Sequence, residues 1–122
     1  MSYQVLLYET LDGRHPVEDF LNSLDDKMRA KLIGLLELLE EKGPVLREPY
    51  SKHLSDGIFE LRCKFGSDIT RALYFFCKGN QIIVTNGFIK KTQRTPPKEI
   101  RLAKNRRNEF LHRPAKKEED TP

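Results

Sequence analysis

Cysteine is scarce in this 122-residue chain, histidine is nearly so, and long apolar runs are missing, which narrows the possible chemistry at once. Cys63 and Cys77 each stand inside an apolar strand pattern, and neither belongs to a CxxC pair or to a Cys/His cluster with zinc spacing. Buried free thiols are therefore expected, and a disulfide framework or zinc site is not. No apolar run approaches the roughly 20 residues that span a bilayer, and the opening MSYQVLLYET has no basic leader followed by a long apolar segment, so a cytoplasmic protein is expected. Gly-rich phosphate loops, metal-ligand clusters and Ser/His/Asp constellations are also absent from the sequence pattern, so no cofactor or metal is expected and metal-independent chemistry is the default.

What the chain does have is asymmetric charge. Lys and Arg total 22 against 18 Asp and Glu. Met1–Leu46 holds 5 of those cations and 9 of the acids, a net −4, whereas Arg47–Pro122 holds 17 and 9, a net +8. A domain this lopsided presents a positive face, which suits a phosphate backbone, although an anionic protein partner also fits.

The length suits one domain with its own core over residues 1–111, and the polar, proline-flanked stretch 112–122 is expected to be a disordered tail. Tyr3–Tyr8 is short, apolar and β-rich, and the turn chemistry of LDGRHP follows it. Pro16 can open a helix in which Val17, Phe20, Leu21 and Leu24 recur at helical spacing. Asp25 is a plausible N-cap for a second helix, with Met28, Leu32, Leu35, Leu36 and Leu39 on one face and a stop before Gly43-Pro44. Lys52–Leu54 reads as a short strand. Ile58–Phe65, Thr70–Cys77 and Gln81–Phe88, separated by Asp/Gly/Asn turns, read as an antiparallel meander. Pro97 can start a third helix running to about Leu111. The fold class is α+β: a helical hairpin packed on a meander sheet, with a C-terminal helix.

Alternation along a strand puts Glu60, Arg62 and Lys64 on one face and Leu61, Cys63 and Phe65 on the other. Arg71 opens the next strand and is expected to reach the same surface as a rim cation, so that its removal keeps the fold. Lys90, Lys91 and Arg94 follow the third strand, and these cations could converge on one concavity, or each could be an ordinary solvated charge. His53 lies just upstream of the Glu60 strand and could approach this site, while His15 and His112 have no evident partner. The helix carrying Lys98, Arg101, Lys104, Arg106 and Arg107 is a second basic surface.

The segments GIFELRCKFGSDITRALYFF and IIVTNGFIKKTQRTPPKEIRLA have the pattern of a GxxELR strand, an R-x-x-Y-F strand and an apolar strand running into GFxKKTxxTPxxEIxxA. This pattern resembles the toxin component of type II toxin–antitoxin modules in the RelE/ParE superfamily, in its phage-derived, HigB-like branch. The likeness covers most of Tyr3 to about Leu111. It implies a RelE-like fold and a ribosome-associated endoribonuclease that cleaves mRNA, with a cognate antitoxin, expected to be a helix-turn-helix protein, as partner. Arg62 and Lys64 match the basic pair that the family places on its central strand, Arg71 the arginine of the R-x-x-Y strand, and Lys90 or Lys91 the basic residue after the last strand. Tyr74 matches less firmly, because it suits the core equally well.

Cleavage of this kind proceeds by attack of a ribose 2′-OH on the adjacent phosphate, which needs a base, cations around the phosphorane and an acid for the leaving oxygen. Arg62 and Arg71 suit charge stabilisation. Lys64 or Lys90, crowded by cations, or Glu60 could carry protons, and the sequence does not choose between them. Two alternatives share the resemblance: a ParE-like toxin that binds DNA gyrase, and a non-toxic prophage RNA-binding accessory.

Overall fold

A computed structural model describes residues 2–90 and 94–114, and the elements follow the order that the periodicities dictate. Strand β1 (Gln4–Leu7) is followed by helices α1 (Pro16–Ser23) and α2 (Asp26–Lys42), strands β2 (Ser51–Ser55), β3 (Ile58–Phe65), β4 (Asp68–Cys77) and β5 (Gln81–Lys90), and helix α3 (Pro97–Leu111). The strands form one sheet in the order β1-β5-β4-β3-β2. The meander β2–β5 is antiparallel, and β1 joins the far edge parallel to β5, with Gln4 opposite Gln81 and Leu7 opposite Val84. Lys90 lies within β5, not after it, because the β4–β5 ladder continues to an Ile69–Lys90 pair.

Local chemistry sets the helix ends. Pro16 occupies the first turn of α1, where its missing N–H costs nothing, and the Asp25 side chain caps α2 by accepting from Met28 N at 2.9 Å. At the other end of α2, Gly43 adopts φ +54° and donates its N–H to Leu39 O. Its Cβ position lies 2.3 Å from the Tyr3 ring, so only glycine fits there.

Each face of the sheet buries its own core. Val17, Leu21 and Leu24 from the α1 segment and Met28, Leu32, Leu36 and Leu39 from α2 pack onto Leu61, Cys63, Ala72, Tyr74, Ile82 and Val84. On the opposite face α3 contributes Ala103 and Phe110 to a smaller cluster with Tyr8, Ile58, Leu73, Phe75 and Ile83. The strand β1 is packed on both sides, since Val5 and Leu7 lie against the hairpin core while Leu6, and Tyr8 just past the strand, join the α3-side cluster. Polar contacts do much of the work of seating α3. Tyr8 donates to Glu109 Oε1 at 2.6 Å, the guanidinium groups of Arg106 and Arg113 lie over the Tyr8 ring, and Arg106 Nη1 donates to Thr85 O at 2.8 Å. Arg113 also bonds Glu9 O and Glu109, so the chain is held just past the helix end, while the rest of the expected tail lies outside the described residues. Among the described residues no helix is long and apolar enough to cross a membrane.

The hairpin packs closely on β5 at Gly87, where an added Cβ would stand 2.6 Å from the Phe20 ring and 3.3 Å from Arg71 O. Gly87→Ala should therefore overpack the α1–β5 contact and cost about 1–3 kcal/mol, which urea unfolding would read directly. A variant as stable as the parent would show that Phe20 yields freely and that the hairpin is not seated as described.

Candidate nucleic-acid interface

The register of β2–β5 assembles a lattice of side chains on the α3 face. Lys52, Glu60, Leu73 and Asn86 form one row across the four strands, Arg62, Arg71 and Phe88 the next, and Lys64, Ile69 and Lys90 the third. With strands about 4.8 Å apart, Lys64 and Lys90 stand roughly 10 Å from each other with one residue between. Helix α3 covers the apolar part of this face. The segment leading into it, Arg94 and Thr95, closes over the first row, and a cleft of about 220 Å³ remains between Lys52, His53, Leu54, Arg62, Arg94, Thr95 and Ile100.

At the centre sits Glu60, fully buried. Its carboxylate accepts from Arg62 Nε at 2.8 Å, from Arg71 Nη1 at 3.2 Å and from Thr95 Oγ1 at 2.5 Å. Three donors and no exposure make it a brace: a bound substrate cannot reach it without repacking. Arg71, expected at the rim, is buried at 2% exposure and is also bonded to Thr95 Oγ1 at 3.3 Å. A guanidinium so placed needs a carboxylate, and the cross-strand offset from Glu60 supplies one. Arg71 and Glu60 thus form the foundation of the site, and Arg62 is its working arm. Only the Nε of Arg62 is engaged, and among the described residues its two terminal nitrogens have no protein partner, which leaves a fork free to grip an anion.

The exposed cations around this centre are Lys52, Lys64 and Arg94, with Lys90 half-buried beside them. Among the described residues they make six cations with Arg62 and Arg71, against the carboxylates of Glu60 and of Glu99, which accepts from Asn86 Nδ2 at 2.9 Å, so the face is positive even after the buried pairing. Lys91 lies outside the described residues.

Two of the expected site residues are engaged in other contacts. Tyr74 belongs to the hairpin core, stacked on Phe59 with ring centroids 5.5 Å apart and bonded through its hydroxyl to Ser51 Oγ at 2.5 Å. Burial pushes its phenol above the ordinary value, with the Ser51 bond pulling the other way, so it stays protonated on the wrong side of the sheet. His53 lines the cleft, but its ring packs edge-on against Phe59 and its Nε2 takes the Gly57 N–H at 3.2 Å. The second basic surface is smaller than its sequence suggests. Arg106 is spent on Thr85 O and Arg107 on Asp56, leaving Lys98 and Arg101 exposed and Lys104 half-buried.

Sequence reasoning overlooked Thr95 and Lys52. Thr95 was visible as the Thr of the Thr95-Pro96 step that precedes α3, and it is buried because it completes the Glu60 cage. Lys52 reaches the face through its pairing with Glu60, a register that no local pattern reveals. Among the described residues no three His, Cys, Asp or Glu side chains gather as a metal site requires.

Breaking the central pair should be far more costly than removing a rim charge. Glu60→Ala, which leaves the buried Arg71 without its counter-ion, should lose roughly 3–5 kcal/mol of stability, whereas Lys64→Ala should stay within about 0.5 kcal/mol of the parent. Chemical denaturation of the two purified variants separates these outcomes, and a Glu60→Ala protein of parental stability would refute the brace.

Comparison with known proteins agrees with this architecture. No curated protein matches the sequence. Among solved structures, a chain of the archaeal RelE-RelB complex from Pyrococcus horikoshii OT3 superimposes with a TM-score of 0.51 over 77% of this chain and 100% of that chain, at 19% identity, and this establishes a RelE-like fold. Residues 19–108, from within α1 almost to the end of α3, match the family described as Phage derived protein Gp49-like (DUF891), and the chain belongs to that family.

Proposed function

We propose that the protein is the toxin of a toxin–antitoxin module and that it acts as a metal-independent endoribonuclease on ribosome-bound messages, in the manner of the HigB-like branch. The observation that carries this reading is the free fork of Arg62, braced by buried Glu60 and flanked by Lys52, Lys64, Lys90 and Arg94 on an open sheet face. A surface evolved only to bind a protein has little need for cations converging from four separate segments around one held guanidinium, so a gyrase-binding role is the weaker fit.

The steps follow from the side chains present. The phosphate to be cleaved sits on Arg62, whose parallel N–H groups match two phosphate oxygens and strengthen as charge builds in the phosphorane. On this reading Lys64 and Lys90, which flank Ile69 in the register, carry the protons: one as the neutral amine takes the proton of the 2′-OH, and the other as the ammonium gives one to the leaving 5′-oxygen. Arg71 acts through Glu60 and does not touch substrate. The archaeal structural neighbour was solved as a complex with RelB, which supports a cognate antitoxin here as well. A partner that covers the positive face, of the helix-turn-helix kind, would meet it with complementary charge and associate rapidly in low salt.

Expression of the chain alone should arrest growth and leave cleaved messages, mapped by primer extension on ribosome-bound mRNA. Arg62→Ala, which also takes one donor from the buried Glu60 carboxylate, should lose about 1–3 kcal/mol of stability while still folding, and should slow cleavage about a hundredfold or more, the usual effect of losing one transition-state donor. Growth arrest with intact messages and damaged DNA would favour the gyrase reading, and no growth arrest at all would leave an RNA-binding accessory.

A further inference from the structure

A hollow of about 430 Å³ lies beside the basic face and shares Arg62 and Lys64 with it. It opens where the sheet runs out of strands. The strand β2 pairs with β3 only as far as Ser51 opposite Leu61, and Tyr50 O adds one more bond from Arg62 N at 2.8 Å. Past that point the edge of β3 meets helix α2, and Leu35, Pro49, Tyr50 and Ile69 line the space together with Arg62 and Lys64. Tyr50 is 47% exposed, so part of its ring is open to solvent beside these cations.

Two further features suit a flat ligand with a polar edge. Because Arg62 N–H points outward to Tyr50 O, the N–H and C=O of Lys64, two residues on, point the same way. The carbonyl takes Lys31 Nζ at 2.6 Å, and among the described residues nothing takes the N–H, so a donor is available at the hollow. Gly34, which also lines it, lies in the interior of the 17-residue α2, where glycine weakens a helix relative to alanine. A Cβ there would have no neighbour within 4 Å, so packing does not require glycine. The absent side chain keeps the hollow open.

We propose that this hollow is a nucleobase subsite. It holds one unstacked base of a single-stranded RNA whose phosphates lie on Arg62 and Lys64, with Tyr50 as the stacking platform and the Lys64 N–H meeting the base edge. The inference rests on the RNA reading above and adds how the substrate strand is oriented on the face.

The test uses fluorescein-labelled 2′-O-methyl octaribonucleotides, which bind but cannot be cut through a 2′-OH, and a matching set with an abasic residue at each position in turn. With the parent protein, one abasic position should weaken binding roughly 5- to 150-fold, the range of a single base–aromatic stack. Gly34→Leu and Tyr50→Ala should show that loss with the intact octamer and become insensitive to the abasic position, while keeping the parent's melting temperature within a few degrees. If no position matters, or if Gly34→Leu discriminates as the parent does, the subsite is refuted while the RNA reading stands. Absence of any octamer binding by the parent refutes that reading and the subsite with it. Should Gly34→Leu lose capture of a co-expressed antitoxin but keep base discrimination, the hollow belongs to a protein side chain and the proposal fails.

Discussion

The site depends on one buried ion pair. Glu60 and Arg71 face each other across adjacent strands with almost no solvent contact. An isolated charge at either position would be costly, and the two together are tolerated only because Arg62 and Thr95 take up the remaining lone pairs of the carboxylate. The consequence is directional. Glu60 holds Arg62 by its Nε, fixing the guanidinium plane while leaving its outer nitrogens available, and Thr95 ties the entry to α3 to the same centre. Stability and binding geometry are therefore set by a single carboxylate.

The rest of the fold supports this arrangement by assigning the two sheet faces to different tasks. The helical hairpin covers most of one face and provides the larger core, so the other face can remain half open. Helix α3 covers only the apolar end of that second face, where Ala103 is the one residue of the helix that is fully buried and Tyr8, Arg106 and Arg113 add polar and cation–π contacts. Charge separates with the layers: the acidic N-terminal half forms most of the hairpin side and the basic C-terminal half the open side. On the proposed reading, an approaching polyanion would be steered to the face that carries the free guanidinium.

Much of this was legible in the sequence, for identifiable reasons. Alternation in Ile58–Phe65 separated Glu60, Arg62 and Lys64 from Leu61 and Cys63 without reference to any other strand, and the structure keeps that division. Parity also held a signal about Tyr74 that went unused: it lies three residues from Arg71 on one strand, so the two must occupy opposite faces. The burial of Arg71 was not legible, because it depends on a β3–β4 register and on Thr95 arriving from a distant segment. The parallel pairing of β1 with β5 was equally hidden, being a contact between segments more than 70 residues apart with no turn to announce it. Local patterns reported the elements and their faces, and long-range closure decided which charges became structure and which stayed free.

The salt dependence of RNA binding tests the central claim most directly. If Lys52, Arg62, Lys64 and Lys90 together hold the backbone, the logarithm of the association constant for an uncleavable single strand should fall with the logarithm of salt at a slope of about −3, and Lys64→Ala should reduce that slope by about 0.7. A slope near zero, or one that Lys64→Ala leaves unchanged, would contradict the account and place the nucleic acid elsewhere on the protein.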